Sequence, residues 1–142
     1  MIILDTDTLT IIQRAAGFEF ERLVARLDES DDEIVVSIIS FEEQMRGWLA
    51  FIARARSLDQ QIIAYNKLHE IQDDFSTRPI VDFDQAAANM FENLRKAKIH
   101  IGTMDLKIAA IALAHGALLL SRNLTDFRKV PGLQAEDWTI PR

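Results

Sequence analysis

The sequence predicts one α/β domain across residues 1–142, built on an open, mainly parallel sheet that is flanked by helices. Three observations carry this prediction. Short apolar runs of strand length occur at 2–5, 34–37 and 117–121. Stretches with apolar side chains at helical spacing separate the runs, and this alternation is typical of strands connected by crossover helices. The chain length of 142 residues suits one substantial core and is short for two.

The first strand and the two helices after it are predicted from the N-terminal segment. Residues 2–5 are an apolar run that ends in an acid, which indicates a buried strand. Helices are predicted at about 8–15 and 18–29, divided at Gly17. Asp7 stands just before the first helix and has the residue type of an N-cap.

The second strand, 34–37, comes after a charged turn at 29–33. A helix is predicted to begin at Ser40, because Ser40 and Glu43 have the spacing of a capping box. Apolar side chains then recur at helical spacing. A second amphipathic helix is predicted from about 58 to 74.

The second half of the chain continues the alternation. Gly116 comes after an apolar helical stretch and has the residue type of a helix stop signal. The expected elements are a short strand or extended link at 79–82, helices at 84–98 and 104–114, a strand at 117–121 and an edge strand at 137–140.

The composition excludes several kinds of site. The chain has no cysteine, which rules out disulfides, thiolate metal sites and cysteine nucleophiles and fits a reducing cytoplasm, where we expect the protein. No apolar run approaches the roughly 20 residues needed to span a bilayer, so no membrane partner is expected. The net charge of -6 opposes simple electrostatic binding of nucleic acid. A metal-dependent enzyme escapes that objection, because bound cations bridge its acids to phosphate.

Acidic and polar side chains come directly after three of the predicted strands. Asp5 ends the first strand, Glu42 and Glu43 come after the second, and Asn123 and Asp126 come after the fourth. In an open parallel sheet, ligands bind outside the carboxyl ends of the strands. Acids from distant parts of the chain are therefore expected to converge there.

Most of these acids also have a structural explanation when taken singly. Asp7 would cap a helix, Glu43 would complete the capping box, and Asp105 would favour the dipole of a helix in its first turn. Asp5 is the exception, because an acid that ends an apolar run has no evident cap role and faces desolvation.

The acids carry more meaning together. Neighbouring carboxylates raise one another's pKa unless a cation neutralises them. A cluster of Asp5, Glu43, Asp105 and a fourth polar residue would be an oxygen-ligand site for Mg²⁺, or alternatively Mn²⁺. Such a site activates a water as nucleophile and offsets charge that builds on a phosphate.

Four ordered stretches carry a family resemblance. They are Ile3-Leu4-Asp5-Thr6-Asp7, Ser37 to Glu43 with Gly47 shortly after it, Gly102 to Ala109, and Leu120 to Phe127. The segment from Val130 to Trp138 is of the same kind. With these stretches the chain resembles a PIN domain of the VapC type, the ribonuclease toxin of bacterial toxin–antitoxin pairs.

The resemblance implies a three-layer α/β/α fold and a Mg²⁺-dependent endoribonuclease. The family's acids map to Asp5, Glu43 and Asp105, with Glu42 as the rival for the second position. The fourth position falls on Asn123, where some members have aspartate, or on Asp126 one turn later. A water activated by the metal would hydrolyse the RNA phosphodiester bond and leave 5′-phosphate and 3′-hydroxyl ends.

Three further residues are expected to support this site. Ser121 and Thr6 match polar positions that would hydrogen-bond the acids and fix their orientation. Arg122 lies between Ser121 and Asn123 and is a candidate contact for an RNA phosphate.

The resemblance also implies partners. The substrate would be RNA, with tRNA as one expected target. A VapB-type antitoxin would dock in a groove between the helix that carries Trp48 and Phe51 and the helix that carries Tyr65, and would insert a segment towards the acids. The chain would also self-associate into homodimers. Trp48 and Phe51 are expected to be mainly core.

Two other functions are also compatible with the sequence. Asp5-Thr6-Asp7-Thr8-Leu9 fits the nucleophile motif of haloacid-dehalogenase-like phosphatases, in which Asp5 would attack phosphorus and Asp7 would be the acid and base. The further motifs of that family are not evident. The second alternative is a PIN-like fold kept as a non-catalytic binding module, with its fourth ligand replaced by Asn123.

Overall fold

A parallel five-stranded sheet forms the centre of the molecule in a computed structural model that describes residues 1–142. The strands are β1 (Ile2–Leu4), β2 (Ile34–Ser37), β3 (Ile80–Val81), β4 (Leu118–Leu120) and β5 (Gln134–Glu136). The helices are α1 (Thr6–Arg14), α2 (Phe18–Glu29), α3 (Ile38–Arg54), α4 (Leu58–Ser76), α5 (Gln85–Lys96), α6 (Thr103–His115) and α7 (Leu124–Phe127).

The strand order, β3-β2-β1-β4-β5, places β1 in the middle of the sheet. Ile3 of β1 lies between Val35 of β2 and Leu119 of β4, and all strand pairs are parallel. The chain builds outward from β1 to β3 and then returns to the other side of β1 with β4. The reversal between β1 and β4 is the topological switch point at which open α/β sheets bind ligands.

Alternate side chains of the strands supply the two halves of the core. Ile3, Val35 and Leu119 pack with α5 and α6, whereas the neighbouring positions, such as Leu4 and Leu120, pack with α1, α2 and the α3–α4 side. Burial on both faces explains why the strands are continuous apolar runs instead of alternating ones. The predicted three-layer α/β/α fold is confirmed.

Two of the predicted helix starts are wrong. Helix α1 begins at Thr6 and is capped by Asp5, not by Asp7. Helix α3 begins at Ile38 and is capped by Ser37, whose side chain accepts from the Ser40 backbone N–H, so the capping box predicted at Ser40 does not form. Both strands run directly into their helices, and the sequence has no breaker that would mark the junction.

The C-terminal part of the chain also differs from the prediction. The last strand is β5, and the predicted strand at 137–140 is wrong. The Thr139 backbone N–H and hydroxyl donate instead to Asp137, a local turn that competes with pairing in a sheet. The short helix α7 was not predicted. The stop signal at Gly116 is confirmed, since this residue has a φ of 59° and closes α6.

Helices α3 and α4 pack against each other, and their outer surface exposes several large apolar side chains. The large apolar side chains exposed there are Leu49, Leu58, Ile62, Ile63 and Tyr65. Trp48 and Phe51 are half-buried, so the expectation that they are mainly core holds only in part. None of the helices is both long enough and apolar enough to cross a membrane.

The central strand position of Leu119 provides a test of the fold. Leu119 is fully buried between the two neighbouring strands and α6, and truncation leaves a cavity. We expect Leu119→Ala to lower the free energy of unfolding by roughly 2–5 kcal/mol in urea titrations. Leu58 is 74% exposed, so Leu58→Ala is the matched control and should change the free energy of unfolding by less than about 0.5 kcal/mol. Equal effects from the two substitutions would contradict this core.

Candidate active site

A polar pocket opens at the carboxyl edge of the sheet, where β1, α3, α6 and the segment after β4 meet. Its lining contains four carboxylates that come from three distant parts of the chain, and no apolar side chain contributes to it. The lining residues are Asp5, Thr6, Asp7, Thr10, Glu43, Asp105, Arg122 and Asn123. The sequence thus predicted the convergence of acids at this edge, and the structure places Asp5, Glu43, Asp105 and Asn123 together.

Asp5 is the buried acid of the pocket, with 4% of its surface exposed. Its carboxylate accepts from the Thr8 backbone N–H at 2.8 Å and so caps α1. The expectation that Asp5 has no cap role is therefore wrong. Burial raises the pKa of Asp5, and interactions with the Ser121 hydroxyl and with Thr8 act in the opposite direction.

Glu43 reaches the pocket from the second turn of α3. The Thr6 hydroxyl donates to its Oε1 at 2.6 Å, and the same hydroxyl lies 2.9 Å from the buried Ser40 hydroxyl. These contacts tie the start of α1 to α3. Thr6 therefore has the supporting position that the sequence predicted for it.

Asp105 lies in the first turn of α6 and has the most perturbed carboxyl group of the pocket. Burial, and after it the nearby negative charges of Glu43, Asp5 and Asp126, raises its pKa to about 6. Interaction with the Asn123 side chain acts in the opposite direction. The three acids are thus close enough to repel one another, and no cationic side chain neutralises Asp105.

Asn123 and Asp126 have different places. Asn123 lines the pocket, and its amide donates to Asp126 at 2.9 Å. Asp126 lies outside the pocket lining, interacts with Lys129 at 3.4 Å and has a lowered pKa, mainly because of the Asn123 hydrogen bond. The structure therefore does not support Asp126 as a direct member of the site. Ser121 accepts from the Asn123 backbone N–H at 2.9 Å and so connects this segment to Asp5.

Glu42, the rival of Glu43, points away from the pocket. Its carboxylate pairs with Arg46 one turn along α3, and Glu42 is absent from the lining. The geometry favours Glu43.

Arg122 stands at the rim and is held by two acids. Its guanidinium donates to both oxygens of Asp7, at 2.7 and 2.8 Å, and lies 3.5 Å from Glu19. The pair lowers the pKa of Asp7 and raises that of Arg122. A carboxyl held ionised in this way is poorly suited to act as a general acid, which counts against a phosphatase role for Asp7.

The chemistry of the pocket fits a divalent cation. Oxygen ligands alone are available, and the repulsion felt by Asp105 is the charge excess that a cation would offset. The acids do not form a preassembled cage, because no three acidic or histidine side chains are arranged to chelate an ion together. Mg²⁺ suits such a site, since it commonly binds one or two carboxylates and keeps several waters.

A second polar network beside the pocket was missed from the sequence. Gln13 of α1 donates to Asp74 of α4 at 2.8 Å, and Gln44 of α3 donates to Gln13 at 2.7 Å. Arg78 forms a bidentate pair with the same Asp74. Glutamines carry no recognisable spacing signal, so only the packing of the three helices reveals this network.

Comparisons with known proteins identify the family. The family model of the PIN domain matches residues 2–133. The chain belongs to the PIN domain family. Ribonuclease VapC1 of Haemophilus influenzae strain R2866 is 30% identical over 110 residues, which are 77% of each protein. The chain is therefore one of the VapC ribonucleases of this family.

Two further relatives extend this comparison. The tRNA(fMet)-specific endonuclease VapC of Shigella flexneri is 31% identical over 64 residues, 42% of this chain and 48% of that protein. The structure of VapBC-1 from nontypeable Haemophilus influenzae superposes with a TM-score of 0.75 at 22% identity, covering 99% of this chain and 100% of that one. The latter likeness concerns the fold.

The resemblance seen in the sequence is thus confirmed. The haloacid-dehalogenase alternative is wrong, because PIN domains are a separate family and Asp7 is engaged with Arg122. The non-catalytic alternative is disfavoured, because the chain is similar to ribonucleases and keeps the three acids in one pocket. The roles of the individual site residues remain predictions.

Asp105 provides a prediction about pH. Its pKa in the folded protein, about 6, lies above the ordinary 3.8, so its protonation favours the folded state. The contribution of Asp105 to the free energy of unfolding is fully present when the pH is below 3.8, and it is lost as the pH rises through about 6. In chelator, we expect Asp105→Asn to melt at a higher temperature than the wild type at pH 7.5 and to lose this advantage near pH 4. Asp31→Asn, in an exposed loop, is the control. A lower melting temperature for Asp105→Asn than for the wild type at pH 7.5 would contradict the raised pKa of Asp105.

Proposed function

We propose that this VapC ribonuclease is a Mg²⁺-dependent endoribonuclease that hydrolyses RNA phosphodiester bonds at the pocket of Asp5, Glu43 and Asp105. One observation carries the proposal. Three carboxylates from three separate segments line one pocket without an opposing cation beside Asp105. Burial, and after it the nearby charges of Glu43 and Asp5, raises the pKa of Asp105. Such a site gains most from binding a cation.

Each acid has a proposed part. Asp5 and Asp105 would hold the cation from the end of β1 and the start of α6. Glu43 would complete the set, as a ligand or through a water. Thr6 would orient Glu43 through its 2.6 Å hydrogen bond. Asn123, held by Ser121 and Asp126, would position a water or a phosphate oxygen with its amide.

The cation, Mg²⁺ or Mn²⁺, would supply activation of a water and stabilisation of negative charge on the phosphate. The protein itself supplies a pocket with no apolar lining and fixed carboxylates. Products with 5′-phosphate and 3′-hydroxyl ends are expected. A 2′,3′-cyclic phosphate would instead indicate attack by the ribose and would contradict this role for water.

Cleavage of a mixed tRNA pool tests the proposal directly. tRNA is the first substrate to try, because a relative of this chain is named as a tRNA(fMet)-specific endonuclease. We expect discrete fragments with Mg²⁺ or Mn²⁺ and intact RNA with chelator. Asp5→Asn and Glu43→Gln should lower the rate by at least about 100-fold, an effect typical of removing transition-state electrostatics.

The adjacent acids of α3 provide the control. Glu42→Gln removes the same charge one residue away, and Glu42 points away from the pocket towards Arg46. This variant should keep cleavage within about threefold of the wild type, since a change below about 1 kcal/mol is expected outside the site. Equal losses for Glu42→Gln and Glu43→Gln would contradict the assignment of Glu43.

We also propose two protein partners, a VapB-type antitoxin and a second copy of this chain, with action in the cytoplasm, where tRNA is found. The apolar outer surface of α3 and α4 supports an antitoxin helix docked there, since exposed apolar patches of this kind mark interfaces. We expect Ile62→Asp to weaken antitoxin capture at least about tenfold in a pull-down and to leave RNA cleavage unchanged. Unchanged capture would exclude this surface. Light scattering of the free chain tests the dimer.

A further inference from the structure

A groove runs from the acidic pocket along the junction of α1, α3 and α4. Thr10 and Glu43 line both the pocket and the groove, so the two are continuous. The groove has a volume of about 800 Å³. Its lining residues are Thr10, Gln13, Arg14, Glu43, Gln44, Gly47, Trp48, Phe51, Arg54, Lys67, Glu70, Ile71 and Asp74.

The two arginines that line the groove have no acidic partner within the protein. Glu70 pairs with Lys67 at 3.2 Å, and Asp74 pairs with Arg78 at 2.8 Å. Arg14 and Arg54 take part in no ion pair, although the chain has a net charge of -6. The groove therefore presents two free guanidinium groups next to a strongly acidic site.

An aromatic pair also lines the groove. The rings of Trp48 and Phe51 are 5.5 Å apart in an edge-to-face arrangement, and the Arg54 guanidinium lies 6.0 Å from the Phe51 ring. With a rise of about 1.5 Å per residue, Trp48 stands about 7.5 Å and Phe51 about 12 Å beyond Glu43 along α3. The aromatic pair is thus about one and a half to two helical turns from Glu43 in the proposed cleavage site.

Gly47 leaves the wall of α3 open between Glu43 and the aromatic pair. A Cβ added there would meet no atom within 4 Å, so packing does not require glycine. Glycine inside a helix is nevertheless unfavourable relative to alanine. Its presence is explained if a ligand lies against the helix backbone at this point.

We propose that this groove binds the unpaired RNA nucleotides beside the cleaved bond, with a base stacked on Trp48, whose ring Phe51 contacts edge to face, and phosphates on Arg14 and Arg54. The inference builds on the proposed ribonuclease function and names the class of RNA that the site takes. Cationic side chains combined with aromatic platforms are the usual means of holding single-stranded nucleic acid. Only three of the 13 lining residues are apolar, and the exposed Leu49, Leu58, Ile62 and Tyr65 lie outside the groove, so a protein helix fits it less well.

RNA binding without cleavage is the primary test. The titration uses a labelled single-stranded RNA oligonucleotide and the full chain in chelator, with fluorescence anisotropy as the readout. We expect Arg14→Gln and Arg54→Gln each to raise the Kd about tenfold and to reduce the slope of log K against log salt by about 0.7. Arg56→Gln removes an exposed charge outside the groove and is the matched control. If all three variants bind like the wild type, the groove does not hold RNA.

Stacking has its own signature. The chain contains two tryptophans, so Trp138→Phe leaves Trp48 as the only one. RNA should quench the Trp48 fluorescence, whereas an abasic ribose-phosphate chain should not. Gly47→Ala should fold with equal or higher melting temperature yet raise the Kd at least about threefold, because its methyl group enters the groove. Quenching by neither RNA nor any base-containing oligonucleotide would overturn the stacking role.

The outcomes separate this inference from the function on which it builds. RNA cleavage with unchanged behaviour of all groove variants would reject the groove and keep the ribonuclease. Binding of RNA in the groove without cleavage by the wild type would reject the ribonuclease and keep the groove. Loss of antitoxin binding instead of RNA binding in Arg14→Gln and Arg54→Gln would assign the groove to the protein partner and overturn the proposal.

Discussion

The carboxylate of Asp5 combines two roles on which the rest of the site depends. It caps α1 through the Thr8 backbone N–H, and it contributes one of the negative charges that surround the pocket. The cap fixes where α1 starts and therefore where Thr6 stands relative to Glu43. Because β1 lies at the centre of the sheet, between β2 and β4, the polar residues that follow β2 and β4 lie on either side of Asp5.

This arrangement places function in conflict with stability. Four carboxylates line one pocket, and the pKa of Asp105 is raised by its burial and, after it, by the nearby negative charges. The fold offsets part of that cost locally. Asp5 and Asp105 lie at the starts of α1 and α6, where the helix dipole favours negative charge, and the Thr6 hydroxyl donates to Glu43. The remaining repulsion is the part that a bound cation would relieve.

The fold class and the convergence of acids could be predicted from the sequence, because both depend on the order of the apolar runs and on the polar residues at their carboxyl ends. Prediction failed where a contact between distant residues decides the local structure. The helix cap was predicted at Asp7 but is formed by Asp5, since an aspartate suits a cap at either position. Only a tertiary contact places Asp7 against Arg122. The same holds for Gln13 and Gln44, whose pairing depends on how three helices pack. The edge strand β5 was misplaced because its residues are largely exposed and lack the apolar run by which a buried strand is recognised.

The central claim, that the acidic pocket holds a divalent cation, is tested most directly by binding of Mn²⁺ in the absence of RNA. Calorimetry or electron paramagnetic resonance would measure the affinity of the wild type, Asp105→Asn and Glu42→Gln across about pH 5 to 8. We expect binding by the wild type that strengthens as Asp105 ionises through about pH 6, unchanged binding by Glu42→Gln, and at least about tenfold weaker binding by Asp105→Asn. No binding at millimolar Mn²⁺, or binding that Asp105→Asn leaves unchanged, would contradict the claim.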